Sequence, residues 1–413
     1  MMDGVCVGPV EKMFLTAQGI PDYGDIVPER DFPRNCLLKN FTAEYNYRQG
    51  MSGTGHYDLV IDGGRYAYTG RLPDGPGGVK KWTLPCAGID LEAYYYFGWL
   101  CERTKFVNMP EITQNRGIGL LLENGTRHSM GDVWSHHNWG EGLLENGHSG
   151  TMDNDVGGIF EYNCNHGDPA GWYNAEVSRS GIRPTQRGLI RANRRNGGLS
   201  MGQPLMDPTV QGVRIIATDP REGEQCGHVL IQTGGQIDMD YRTGVFNGWV
   251  PGTDDRIMTT LPALGGLIMG NTVEDGTYST NYLAAFQVDA PGARVIGNEV
   301  RKTTSAALGS QLGVAIDAAG YASGNSGPGY PTPVRVTRRA RSSHRSRGRI
   351  LRSTAWITCP SAAIHPPITI SGSPCCLAPP DVLRYEVQWT VVYDALDADR
   401  VATYDLIPQG APT

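Results

Sequence analysis

Short apolar runs along this chain end repeatedly in the same polar turn. Leu122-Glu123-Asn124-Gly125 and Leu144-Glu145-Asn146-Gly147 repeat four letters twenty-two positions apart, and Ile159-Phe160-Glu161-Tyr162-Asn163 is a looser third copy. The device returns as Ile268-Met269-Gly270-Asn271-Thr272-Val273 and Val295-Ile296-Gly297-Asn298-Glu299-Val300, offset by twenty-seven. A short strand followed by Asn and Gly at a recurring interval, with no i, i+3, i+4, i+7 pattern between copies, is what a parallel β-solenoid requires. The pattern predicts strands over 118–122, 142–145, 158–162, 188–192, 213–217, 229–232, 265–269 and 294–296.

Where the period fades, the organisation changes. Residues 1–35 have no period and several prolines, and are expected to form an N-terminal cap or attachment segment; 36–310 supply the solenoid, with about ten to twelve coils of roughly 20 to 27 residues. Residues 311–380 read as a Gly/Ser/Pro- and Arg-rich linker, and 381–413 as a small C-terminal β segment in which 382–393 alternates like a strand, with 401–407 as its candidate partner.

Composition sharpens this picture. Glycine supplies 55 of 413 residues without a Gly-X-Y register, so the glycines are expected at corners rather than in a collagen-like repeat. The net charge of −6 conceals an asymmetry, because eight arginines lie between Arg335 and Arg352 while 318–380 contains no Asp or Glu. An acidic body disfavours nucleic acid except through that Arg335–Arg352 tract. Nine scattered cysteines with no CxxC pair exclude a zinc ribbon or thioredoxin motif and are expected to be mostly buried thiols. No basic n-region with an apolar core marks the N-terminus, and no run of 18 apolar residues occurs, so neither a signal peptide nor a membrane partner is expected. Walker, HExxH and GxSxG motifs are absent, and no cofactor or metal is expected.

Candidate chemistry follows from the proposed stacking. If Leu122 and Leu144 point inward in successive coils, Glu123 and Glu145 point outward about 5 Å apart, near the spacing of a retaining glycosidase pair, with Glu161 extending the ladder. Asp153 and Asp155 add carboxylates at i, i+2 and complete the candidate catalytic set. The densest polar and aromatic region supplies candidate substrate-binding residues Trp134, His136, Trp139, Glu141, His148 and Trp172. Aromatic faces stack on sugar rings, while carboxylates and imidazoles bond hydroxyls or move protons.

The stretches 117–163 and 266–300, with their G-[LI]-x-[LIM]-x-N-x-V style, resemble the right-handed parallel β-helix of the pectate-lyase-like superfamily, which includes phage tailspikes. The resemblance implies an all-β, right-handed parallel β-helix. It departs from the polygalacturonase branch, since Asn146-Gly147-His148-Ser149-Gly150 precedes Asp153-Asn154-Asp155 and no R-I-K follows; Arg183-Pro184-Thr185-Gln186-Arg187 matches the letters of the pectate-lyase signature. The expectation is a virion-type or extracellular β-helix, similar to tailspike and tail-fibre proteins, that binds polysaccharide, with depolymerisation as the activity to test for. It would assemble with itself as a homotrimer or with other virion subunits. The alternatives are a structural tail or capsid decoration protein without catalysis, and a bacterial polysaccharide lyase or epimerase using Arg127, Arg179, Arg183 or Arg187 to neutralise a uronate.

Overall fold

A computed structural model of the chain describes residues 3–8, 14–15, 21–22, 28–73, 82–93, 100–147, 150–164, 175–192, 197–217, 227–240, 242, 245–246, 258–263, 265–274, 284–301, 312–317, 320–327, 351–360 and 382–391. The first of two compact units, 1–336, is a parallel β-helix. Three long sheets run its length, with ten, ten and nine strands, and nearly every pairing within them joins one coil to the next in parallel. The fourth coil shows the plan: Leu120–Glu123 lies in the first sheet, Ser129–Met130 in the second and Trp134–His136 in the third. Ten such rungs stack, beginning with Asp3–Val7 paired to Gln49–Gly53 and ending with Leu312–Asp317 and Tyr321–Ser323. Rungs therefore occur on both sides of the 36–310 span read from the sequence.

Strand alternation fills the interior. On the first sheet Met51, Ile89, Leu120, Leu143, Val177, Leu199, Val229 and Phe286 fall in one fully buried column, and on the third Tyr66, Ile112, Phe160, Ile190 and Ile215 do the same. Each buried aliphatic side chain contributes roughly 1.5–3 kcal/mol, and a solenoid draws this stabilisation from contacts between neighbouring rungs. Cys86, Cys101 and Cys164 are buried as expected, whereas Cys6 is exposed and Cys36 half-buried.

Two corners set the geometry. Between the first and second sheets Asp58, Arg103, Arg127, Asp153, Arg183 and Asp207 occupy one position, each with φ near +50 to +57°. Between the third and first sheets Tyr45, Tyr68, Gln114, His137 and Tyr162 do likewise. One residue per rung in the left-handed region turns the chain, and here it is mostly neither Gly nor Asn.

Immediately after that second corner stands an asparagine ladder. Asn115 Nδ2 donates to Asn138 Oδ1 at 2.9 Å, Asn138 Nδ2 to Asn163 Oδ1 at 2.8 Å, and Asn163 to the Glu176 carboxylate, which caps the column. The same carbonyls accept the backbone N–H groups of Thr69, Asn115 and Asn138, so buried turn donors are satisfied rung by rung. Room for the amides comes from Gly88, Gly119 and Gly142: a Cβ at Gly119 would sit 2.7 Å from Asn138 Nδ2. A second ladder, Asn271, Asn298 and Asn325, secures the corner between the second and third sheets with bonds of 2.8 and 2.9 Å.

These glycines correct one expectation. Gly119 and Gly142 align, so Leu120 pairs with Leu143, Leu121 with Leu144, Leu122 with Glu145 and Glu123 with Asn146. The structural offset is twenty-three, one more than the repeat of letters. A one-residue slip exchanges the faces of a strand. Leu122 and Leu144 therefore do not stack, and Glu145 points into the core, so the expected outward pair of Glu123 and Glu145 does not exist.

In the second unit, 337–413, Leu351–Pro360 and Val382–Val391 form an antiparallel pair. The C-terminal strand thus takes its partner from the stretch read as linker, while 401–407 lies outside the described residues.

Candidate functional site

The carboxylates singled out from the sequence occupy three separate places. Glu123 is on the outer face of the first sheet, where Asn146 Nδ2 donates to its Oε1 at 2.9 Å. Glu145 is inside the coil, 2% exposed, accepting from Arg179 Nε at 2.7 Å and from Asn154 Nδ2 at 2.7 Å. Asp153 and Asp155 flank the second sheet, each forked by an arginine of the next rung: Arg183 Nε donates to Asp153 Oδ1 at 2.6 Å and Arg187 Nε to Asp155 Oδ1 at 3.2 Å. A carboxylate held bidentately by guanidinium is a cross-rung tie and leaves little lone-pair capacity for a substrate.

The expected binding residues are also divided. Trp134 and His136 share the outer face of the third sheet with stacked rings 4.2 Å apart; Trp134 Nε1 donates to Glu161 Oε1 at 2.8 Å, and His136 Nε2 lies 3.1 Å from Glu111 Oε1. Burial is the main influence on His136 and lowers its pKa, with Glu111 opposing. Trp139 stands at the corner between the third and first sheets, next to the asparagine ladder. Glu141 is buried beside the first sheet, accepts from Ser178 Oγ at 2.5 Å and has its pKa pushed up to about 8 by burial, with Glu176 nearby adding to the rise. His148 and Trp172 lie outside the described residues.

The first sheet supplies a constellation that the repeat pattern did not reveal. In Ile89–Glu92 the apolar Ile89 and Leu91 turn inward, which sends Asp90 and Glu92 to the outer face. Glu92 pairs directly with Glu123 of the next rung, and Asp90 with Ser52 of the previous one. Asp90, Glu92, Arg48, Gln49 and Ser52 line a small recess of about 80 Å³ that opens to solvent. Gln49 donates to Asp90 Oδ2, while Arg48 forks Asp3 at 3.0 and 2.9 Å.

The electrostatics of this recess favour a retained proton. Asp90 is buried, and that burial, followed by the charges of Glu92 and Glu123, drives its pKa well above the usual carboxylate range. Glu92 is raised in the same direction, first by burial and then by Glu123. Clustered, buried carboxyls resist ionising together, which raises Asp90 and Glu92 in the same direction. The signal available in the sequence was the alternation Ile89-Asp90-Leu91-Glu92 itself, which lies outside the Asn-Gly repeats.

The arginines considered as uronate ligands are committed elsewhere: Arg179, Arg183 and Arg187 to the carboxylates above, and Arg127 to Glu102 at 3.8 Å. Among the described residues, no group of three or more His, Cys, Asp or Glu side chains is arranged to hold a metal ion. No helix of the described residues is long and apolar enough to cross a membrane. Compared with protein-family models, curated proteins and solved structures, the chain matches none, so no relative lends it a function.

Proposed function

We propose that this β-helix binds polysaccharide across the outer face of its first sheet and cleaves it with the carboxyls of Asp90, Glu92 and Glu123. One observation carries the reading: Glu92 and Glu123 sit on paired positions of adjacent rungs beside a buried, proton-retaining Asp90, at a recess. Adjacent strands lie about 4.8 Å apart, close to the ~5–5.5 Å separation used by retaining glycosidases. In this scheme the Asp90–Glu92 pair supplies the proton to the departing sugar oxygen, and Glu123, oriented by Asn146, acts as nucleophile or base. A virion-type or extracellular role resembling tailspikes, with three copies assembled side by side, fits a soluble-type solenoid that presents one long face. The test is incubation of the full chain with bacterial capsules and lipopolysaccharides, followed by chromatography of the products. Depolymerisation by the wild type that disappears in Asp90→Asn and Glu123→Gln supports the reading; intact polymer across the whole panel counts against it.

A purely structural rod is the second reading. It is favoured by the cross-rung forks Arg183–Asp153 and Arg187–Asp155, which spend surface charge on holding coils together. Wild-type protein that neither binds nor cuts any glycan while remaining folded would select it.

A further inference from the structure

Directly after the asparagine ladder, one position recurs from rung to rung at the corner between the third and first sheets, partly exposed at Arg116 and Trp139. Gly70, Arg116 and Trp139 occupy that position in successive rungs. The Arg116 guanidinium carbon lies 3.9 Å from the ring centre of Trp82 and 5.1 Å from that of Trp139, and Arg71 lies 4.5 Å from Trp139. Two guanidiniums thus share one indole. Burial, and after it the neighbouring charge of Arg116, lowers the pKa of Arg71. Among the described residues no carboxylate pairs with Arg71 or Arg116, in contrast to the forks that engage Arg48, Arg103 and Arg183. Arg71 Nη1 is moreover buried with no acceptor. A buried donor left open is costly, and the two guanidiniums without a carboxylate, one of them carrying that donor, define what is missing.

We infer that this corner is a binding site for an oxyanion carried on a glycan, a carboxylate or sulfate received by the edges of Arg71 and Arg116. Cation–π contact with Trp82 and Trp139 holds the two guanidiniums in place, and a guanidinium so held receives a carboxylate or sulfate through its in-plane N–H groups. Tyr45 and Tyr68, parallel at 4.9 Å one residue before the ladder position, extend an aromatic surface along the same corner. A sugar polymer fits that alternation of ring faces and cations. A polyphosphate chain does not, because two guanidiniums give a short basic footprint on a strongly acidic body. The inference deepens the proposed function by naming an acidic polysaccharide as the ligand, and it uses residues apart from the Asp90 recess.

The test is calorimetric titration of the full chain with three oligosaccharides matched in length, one bearing uronates, one sulfates and one neither, with a single-stranded oligonucleotide as a fourth probe. The expected result is affinity for one charged glycan about tenfold or more above the neutral one, as charge-assisted hydrogen bonds would supply. That preference should fall to about unity in Arg71→Gln/Arg116→Gln and persist in Arg214→Gln, which removes an exposed arginine paired with Glu274 away from this corner, with circular dichroism confirming the folded state of each variant. Equal binding of charged and neutral glycans overturns the inference, and because wild-type protein gives this result, it does not depend on the variants folding. Preference that survives the double substitution, or tighter binding of the oligonucleotide than of any glycan, overturns it as well. Retained cleavage without charge preference leaves the proposed function standing alone, whereas absence of all glycan binding removes both.

Discussion

Glu145 and Arg179 face one another inside the coil, Oε2 to Nε at 2.7 Å, in a column where the rungs on either side place Leu122 and Met201. The pair is satisfied on all sides: Asn154 donates to the carboxylate, and the carbonyls of Asn154 and Thr185 accept from the guanidinium. Removing one partner would strand a desolvated charge. Glu145→Leu or Arg179→Met alone should therefore lower stability by about 3–5 kcal/mol, whereas the double variant, which restores an apolar column, should recover much of that loss. Denaturant titrations of the four proteins give the coupling directly; additive losses would refute the interaction.

The corner ladder makes a second prediction. Asn138→Ala leaves the Asn115 amide and its turn donor without an acceptor, and should cost about 1–3 kcal/mol. Gly119→Ala should cost more, because a Cβ there would meet the Gly142 carbonyl oxygen at 2.7 Å, and backbone cannot rotate away. Thermal melts rank the two, and a Gly119→Ala protein as stable as wild type would overturn the packing account.

Opposite pH dependences are built into the same stack. Burial lowers His56 to about 4 and His128 to about 3, so the folded state prefers both neutral. Their contribution is complete above the unfolded value of about 6.5 and is lost as pH falls through the folded values, by an amount on the order of a few kcal/mol. A His128→Asn protein should accordingly resist acid unfolding better than wild type between pH 6 and 4, as followed by intrinsic fluorescence.

Glu141 works in the other direction. Its folded pKa of about 8 lies above the ordinary value, so its contribution is present below about pH 4 and lost as pH rises through 8. Glu141→Gln should flatten the fall of the melting temperature between about pH 5 and 8. An unchanged slope over that range would remove Glu141 from the account.

For the recess, Asp90→Asn keeps the shape and the Gln49 contact side while removing the titrating proton. Cleavage should drop at least about a hundredfold, in line with the loss of a general acid, with glycan affinity nearly unchanged. Measurement of kcat and KM on a polymer that the wild type cuts separates the two effects.

The stacked-strand architecture was readable because Asn and Gly recur after apolar triplets at 268–273 and 295–300, and those copies do align, Ile268 over Val295. At 122–125 and 144–147 the letters repeat but the register follows Gly119 and Gly142, whose spacing is one residue longer. Recurring letters and vertical columns are thus different things, and a single-residue difference sent Glu145 inward. Elsewhere the turns hide their period, since Tyr, Gln, His, Asp and Arg adopt the left-handed conformation where Gly or Asn would have advertised it. Strands Gly197–Met206 and Ala284–Asp289 lie outside the Asn-Gly copies and carry no such mark. Of the candidate site, Glu123 was legible; Asp90 and Glu92 were not, because only their pairing with the next rung gives an ordinary alternating strand its chemistry.

Because a rung touches chiefly the rungs above and below it, a stretched or heated rod of this kind should fray inward from its ends rather than melt everywhere at once. The internal Glu145–Arg179 pin joins the fifth coil to the sixth, near mid-rod. Within the 1–336 unit, separating those two coils must break a buried ion pair as well as a row of backbone hydrogen bonds.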